Sequence, residues 1–277
     1  MNQVYDLKRI LLLARLKFNL HRKVLMMSVV GYFGLLFIIG FFIAYGGRNN
    51  TEYFTFYQTF HYVSLSIMMV LGSVLLASRS FQDMNTPERS ISQILVPAST
   101  FEKFILPLIA TLFIWMIFSF VSYYVFSIVF NAAWSFSFGY EFEIFNSSDI
   151  FKNPFLFEII LGIVLLHSTF LLGAATFRKY PIVKTMLGLT ILQWSFSLLA
   201  LFVIVILFGS MENFGEAMEA LGRILAEKDW FIDSIDFYGE EIETMGYRVR
   251  YFWRFMMFLL SVGLYVTAYF KLKEREV

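Results

Sequence analysis

The polar side chains best placed to do chemistry inside this chain lie in two long apolar segments. His167, Ser168 and Thr169 follow one another near the middle of one segment, and Gln193 lies in the next. Polar groups at membrane depth either line the path of a substrate or hydrogen-bond to a neighbouring helix. Because neutral polar residues commonly hold transmembrane helices together, we favour helix packing over a substrate path.

The residue patterns of several known catalytic and metal sites are missing from the sequence. It has no G-x-x-x-x-G-K-S/T loop for ATP phosphates and no H-E-x-x-H pair of zinc ligands. His21, His61 and His167 lie in different segments, and cysteine is absent. Glu240 and Glu241 form an acidic pair in a polar stretch, where a solvated charge run is the simpler interpretation. We therefore predict no catalytic residue, no metal and no cofactor, so that this chain is not itself an enzyme.

Residues 79–103 form the most organised polar stretch between apolar segments. Thr86 is a suitable N-cap, Pro87 suits the first helical position, and Glu88 places an acid in the first turn. These features predict a short helix over about 87–95 between two of the apolar segments.

The rest of this stretch predicts where the short helix ends and the next helix begins. The apolar residues of the short helix would share one side: Ile91, Ile94 and Leu95. Pro97 would end it. Ser99 and Glu102 then have the spacing of a capping box, in which each side chain binds the backbone N–H of the other residue. The pattern indicates a short helix, a hinge and a capped helix start.

Six apolar stretches must position these residues. They lie at about 24–46, 60–78, 104–130, 155–177, 185–209 and 252–270. A helix crosses the hydrocarbon core with about 20 apolar residues. All lysines, arginines, aspartates and glutamates lie between or beside the stretches, except Glu158 and Arg254 near stretch ends. With 58% hydrophobic residues, the chain is predicted to be all-α, a polytopic membrane protein with six transmembrane helices in one domain, 1–277.

The distribution of basic residues predicts the orientation. Fifteen lysines and arginines lie on the side that carries both termini, against six on the other side. By the positive-inside rule, both termini are expected in the cytoplasm, as in a multi-pass protein of a bacterial inner membrane. The segment 210–250, with ten acidic residues, is then expected outside.

The residues before the first apolar stretch predict one further helix. Apolar residues of 5–22 recur at steps of three and four, with most basic residues elsewhere. We interpret 5–22 as an amphipathic helix in the membrane interface. The alternative is a solvated, basic N-terminus that only orients the first span.

Three short segments resemble a known family. Leu95 to Phe104, reading LVPASTFEKF, resembles the entry to the third span of type-2, exporter-class ATP-binding cassette (ABC) transporter permeases, in versions common in Bacteroidetes-like bacteria. The run FRKYPIVKT from Phe177 to Thr185 and the ending AYFKLKEREV from Ala268 to Val277 look similar too. The topology also matches throughout, although the acidic segment 210–250 is long and no residue in the spans identifies a substrate.

The resemblance implies a transmembrane permease subunit of an ATP-driven exporter. Such permeases pair with a second permease copy, here expected to form a homodimer in the lipid bilayer, and with separate ATPase subunits. The resemblance assigns ATPase coupling to these residues of the first cytoplasmic loop: Thr86, Pro87, Glu88, Arg89, Ile91, Ile94, Leu95 and Pro97. Nucleic acid is not expected as a partner. The alternative function is a non-transporting membrane scaffold or assembly factor that binds a partner through its external acidic segment.

Overall fold

The computed structural model describes residues 6–47, 53–85, 98–139, 144–145, 156–208, 213, 215–216, 219 and 230–276. Its helices are α1 (Leu7–Gly47), α2 (Tyr53–Arg79), α3 (Thr100–Leu108), α4 (Trp115–Phe138), α5 (Leu156–Thr176), α6 (Pro181–Phe208) and α7 (Trp230–Glu276). A π-helical turn, Ile109–Ile114, joins α3 to α4, and a 3-10 turn, Gln82–Met84, follows α2. Six helical segments are long and apolar enough to cross a membrane. The protein is an all-α, multi-pass membrane protein.

Two of these helices are longer than the sequence predicts. The structure has one continuous helix, Leu7–Gly47, where the sequence analysis separates an interfacial helix over 5–22 from the first span. Neither glycine nor proline occurs between Asp6 and Gly31, so nothing ends the helix at the membrane boundary. Helix α7 begins at Trp230, so residues 230–250 of the segment that the sequence places outside are helical and continuous with the last span. The short helix predicted over 87–95 lies outside the described residues.

The chain divides into two compact units. The first comprises 1–182 and 260–277, and the second comprises 183–259. The first unit contains an aromatic-rich core formed by α1, α2, α4 and Phe145: Leu36, Leu65, Tyr123, Phe126, Phe130, Trp134 and Phe145. In the second unit, every residue from Ile191 to Val203 is exposed. Over this stretch, α6 exposes its apolar side chains on every side, as a lipid-facing or partner-facing helix does.

Close packing in the first unit depends on two glycines, Gly40 and Gly72. A side chain at Gly40 would press on the Phe130 ring, 3.1 Å away, whereas Gly31 and Gly34 have no neighbour within 4 Å of the position of a Cβ atom. The tightest contact is Gly72 of α2, whose missing side chain leaves room for the indole of Trp115. Glycine lets helices approach closely in membranes.

We expect Gly72→Ala to lower the unfolding free energy by about 1–3 kcal/mol, because the new methyl group would overlap the Trp115 indole. The matched control is Gly162→Ala, where no atom lies within 4 Å of the added group. There we expect no loss, since alanine favours a helix by up to about 1 kcal/mol over glycine. Thermal unfolding in detergent, followed by tryptophan fluorescence, measures both. Equal effects of the two substitutions would contradict the packing argument.

Candidate functional site

The most connected polar group inside the membrane region is His167 of α5, which is fully buried. Its Nε2 lies 2.7 Å from the hydroxyl oxygen of Thr111, a residue of the π-helical turn. Its Nδ1 lies 2.9 Å from the hydroxyl oxygen of Tyr265 on α7. These three residues, called here the His167 cluster, join the third, fourth and sixth spans.

The hydrogen bonds of the His167 cluster assign one arrangement of protons. The Thr111 hydroxyl donates to the carbonyl oxygen of Pro107 at 2.7 Å, so it must accept from Nε2–H of His167. The other ring nitrogen, Nδ1, then accepts from the hydroxyl of Tyr265. The alternative arrangement would have Tyr265 donate to the Val164 carbonyl, a longer contact of 3.3 Å. Every strong donor and acceptor of the imidazole is thus used within the protein, which favours helix packing over substrate binding.

The π-helical turn positions Thr111 for this contact. Proline at 107 has no N–H to donate to the preceding turn, which weakens the regular helix just before Ile109. A π-helical turn changes the direction in which the following side chains project, and such turns occur often at functional sites. No residue pattern in the sequence analysis predicted this turn.

The other polar residues predicted at membrane depth do not join the His167 cluster. Ser168 is fully buried, and its hydroxyl donates to the Leu165 carbonyl at 2.8 Å; the Thr169 hydroxyl donates to the same carbonyl at 2.8 Å. Both therefore bond within their own helix. Gln193 is exposed on α6, and no hydrogen bond from it reaches any described residue.

A second buried histidine lies near the other end of the bundle. His61 of α2 is 3% exposed, and its Nδ1 lies 3.0 Å from the hydroxyl oxygen of Tyr123 on α4. The ring of Phe145 packs against both of them. The sequence analysis missed Tyr123 and gave His61 no role, because an isolated histidine or tyrosine at the edge of an apolar stretch has no distinguishing pattern.

At the end of the bundle that carries both termini, a buried carboxylate holds two segments together. Ser99 and Glu102 form the predicted capping box at the start of α3. Glu102, which is fully buried, also accepts from the Asp6 backbone N–H at 2.7 Å and pairs with the Arg9 guanidinium at 3.0 Å. These four residues are called here the Glu102 cluster. It attaches the beginning of α1 directly to the beginning of the third span.

A second ion pair at the same end joins α1 to the 3-10 turn. The Lys17 ammonium of α1 lies 4.0 Å from a carboxylate oxygen of Asp83 in the 3-10 turn. Burial lowers the pKa of Lys17, the positive charge of Lys103 lowers it further, and Asp83 opposes the shift. Lys103 is itself 5% exposed. Charged side chains are rarely buried without partners. The charges at this end of the bundle are therefore part of its packed structure and not only of its surface.

The residues that the resemblance assigns to ATPase coupling, 86–97, lie outside the described residues. The chain is well packed on both sides of them. Phe81 and Met84 are buried before the segment, and Phe81 stacks on Phe104 after it, with 6.4 Å between ring centroids. The residues before and after 86–97 are thus packed against each other.

Among the described residues, no three histidine, aspartate or glutamate side chains come together in a group that could hold a metal ion. The polar groups of the His167 cluster and of the Glu102 cluster are hydrogen-bonded within the protein. No family model matches this chain, and no match was found among curated proteins or solved structures.

Proposed function

We propose that this chain is the permease subunit of an ATP-driven exporter of the ABC type, coupled to a separate ATPase through segment 86–97. The proposal starts from the three segments that resemble such permeases and from six membrane-spanning helices. It includes a homodimer in a bacterial inner membrane with both termini in the cytoplasm, an orientation supported by fifteen basic residues on that side against six on the other.

The Glu102 cluster is the single observation that best supports coupling. A permease without a nucleotide site needs a rigid element that passes a partner's movement to its own spans. Segment 86–97 ends two residues before Ser99, and Glu102 ties that point to Arg9 of α1. A displacement of the segment would therefore act on the first and third spans together.

The His167 cluster would carry the same displacement further into the membrane. Thr111 lies in the third span, and its contact with His167 reaches the fourth span. Through Tyr265 the contact also reaches the sixth. In this proposal the chain contributes a connected set of helices, and the partner contributes ATP hydrolysis.

The test is purification of a tagged copy from the native membrane, with the associated proteins identified and ATP hydrolysis measured. We expect a nucleotide-binding subunit to co-purify. We also expect the charge exchange Glu88→Arg with Arg89→Glu to remove that subunit and its ATP hydrolysis from the purified complex, because docking surfaces depend on complementary charge.

The matched control exchanges a charge pair elsewhere at the same end, Lys271→Glu with Glu274→Lys. These two residues form an exposed ion pair of 2.7 Å on the last helix and lie outside the proposed docking segment. The control should retain the ATPase. If no nucleotide-binding subunit associates with the unaltered protein, the exporter proposal fails and the scaffold hypothesis gains support.

A further inference from the structure

The terminal nitrogens of one arginine in the first unit have no hydrogen-bond partner among the described residues. Arg275 lies in the last turn of α7, and its terminal nitrogens Nη1 and Nη2 are both buried. Neither has a hydrogen-bond partner in the part of the chain that the structure describes. An arginine keeps its positive charge at any physiological pH, so this group cannot become neutral by losing a proton.

A second positive charge makes the arrangement less favourable still. The positive charge of Arg178, in the turn after α5, acts directly on the Arg275 guanidinium. Glu274, which precedes Arg275 in the sequence, pairs instead with Lys271 at 2.7 Å. The Arg178 guanidinium therefore adds repulsion at Arg275, and no described residue supplies an acceptor to Nη1 or Nη2 of Arg275.

The Glu102 cluster shows how this protein treats a buried charge when the partners are its own residues. Glu102 receives two backbone N–H groups and the guanidinium of Arg9, all within 3.0 Å. For Arg275 the donors are buried, and the described residues supply no acceptor to them. The missing component is thus an anion with several oxygen atoms, and phosphate and carboxylate groups match the fork of an arginine best.

The position of the two arginines indicates which anion. Arg178 follows the end of the fourth span at Thr176, and Arg275 ends the sixth, where lipid headgroups lie. Two further exposed basic side chains extend the positive surface there, Lys179 and Lys271. Basic pockets between transmembrane helices at this level bind anionic lipid headgroups. Phe270, just inside this level, is 54% exposed and available to an acyl chain.

We propose that Arg178 and Arg275 bind the phosphate of an anionic phospholipid headgroup between the ends of α5 and α7. The site requires only that the protein spans a membrane, so it does not rest on the exporter function. The bound phosphate supplies the acceptors that Nη1 and Nη2 lack, and its charge offsets the repulsion between the two arginines.

Native mass spectrometry of the full-length protein in detergent tests the site, with phosphatidylglycerol and phosphatidylethanolamine added at equal concentration. We expect phosphatidylglycerol to bind at least about fivefold more tightly, and Arg275→Gln to lower that affinity at least about fivefold, as the loss of one basic contact predicts. Lys273→Gln, at an exposed residue of the same turn, is the matched control and should change the affinity less than about twofold.

Thermal unfolding separates loss of the site from loss of the fold. In neutral detergent without lipid, Arg275→Gln should unfold at the same temperature as the unaltered protein or at a higher one, since the guanidinium has no described partner to lose. Phosphatidylglycerol should raise the unfolding temperature of the unaltered protein and not that of the variant.

Three outcomes would overturn the proposal. The first is equal binding of the two lipids, and the second is undiminished phosphatidylglycerol binding by Arg275→Gln. In the third, inorganic phosphate protects the unaltered protein as well as the lipid does, which would identify a small phosphate compound as the ligand instead. If Arg275→Gln leaves lipid binding intact but loses a co-purifying protein, the arginines bind a carboxylate of that protein and the lipid proposal fails.

Discussion

Replacing Glu102 with glutamine is expected to lower the unfolding free energy by about 2–3 kcal/mol, because an amide cannot replace a buried carboxylate that pairs with a guanidinium. The change would leave Arg9 without its negative partner and would turn an N–H group of the new amide toward existing donors. We place the effect below that of a fully buried ion pair because the Arg9 side chain is 34% exposed. Unfolding by a denaturing detergent in mixed micelles measures the free energy.

The matched control is Glu274→Gln, which removes an ion pair whose carboxylate side chain is 63% exposed. Its effect should be at most about 0.5 kcal/mol, as for other surface pairs. A double-mutant cycle with Arg9→Gln isolates the pair, and the two substitutions should be less than additive. Additive effects, or equal losses from Glu102→Gln and Glu274→Gln, would mean that the Glu102 cluster does not hold the two helices together.

The His167→Ala substitution is expected to cost about 2–4 kcal/mol, since it leaves a cavity and removes two hydrogen bonds between helices. The bonds alone account for the smaller part, because interhelical hydrogen bonds in membranes average about 0.6 kcal/mol each. The larger part comes from the space of the imidazole, which has no exposed surface. The same mixed-micelle titration measures this loss.

Ser168→Ala provides the comparison for His167→Ala at the next position. The serine is equally buried, but its hydroxyl bonds to the carbonyl of Leu165 in its own helix, so we expect a loss of about 0.5 kcal/mol or less. Tyr265→Phe should show an interaction energy with His167→Ala that it doesn't show with Ser168→Ala. If both histidine and serine variants lose the same free energy, the contact between helices has no special role.

Much of the fold could be predicted because its signals are local. The apolar stretches mark the spans, since a bilayer excludes charge over a length that any window of the sequence can reveal. The Ser99–Glu102 capping box spans only three residues, and the structure forms it as its spacing predicts. Helix α1 runs further than expected because no glycine or proline separates 5–22 from the first span. Helix α7 continues through Gly239 and Gly246, two positions at which the sequence by itself weakens the prediction of a helix.

The candidate sites were predictable only in part. His167 stood out because it is a polar residue deep in an apolar stretch, but Thr111 and Tyr265 have no such mark. Gln193 stood out for the same reason and proved to have no hydrogen bond to any described residue. A polar residue in a span therefore marks a candidate position, and only its hydrogen-bond partner in the folded protein shows its role.

The sequence by itself determined that this is an all-α membrane protein, where its six spans lie and how one of its helices is capped. Each of these properties depends on residues within a single continuous stretch of the chain. Only the tertiary structure decided what Glu102 and His167 hold together. Their partners are 96 residues away for the Asp6 backbone, 56 for Thr111 and 98 for Tyr265. Contacts over such distances arise from how whole helices pack, and no local pattern of residue types specifies which side chains then meet.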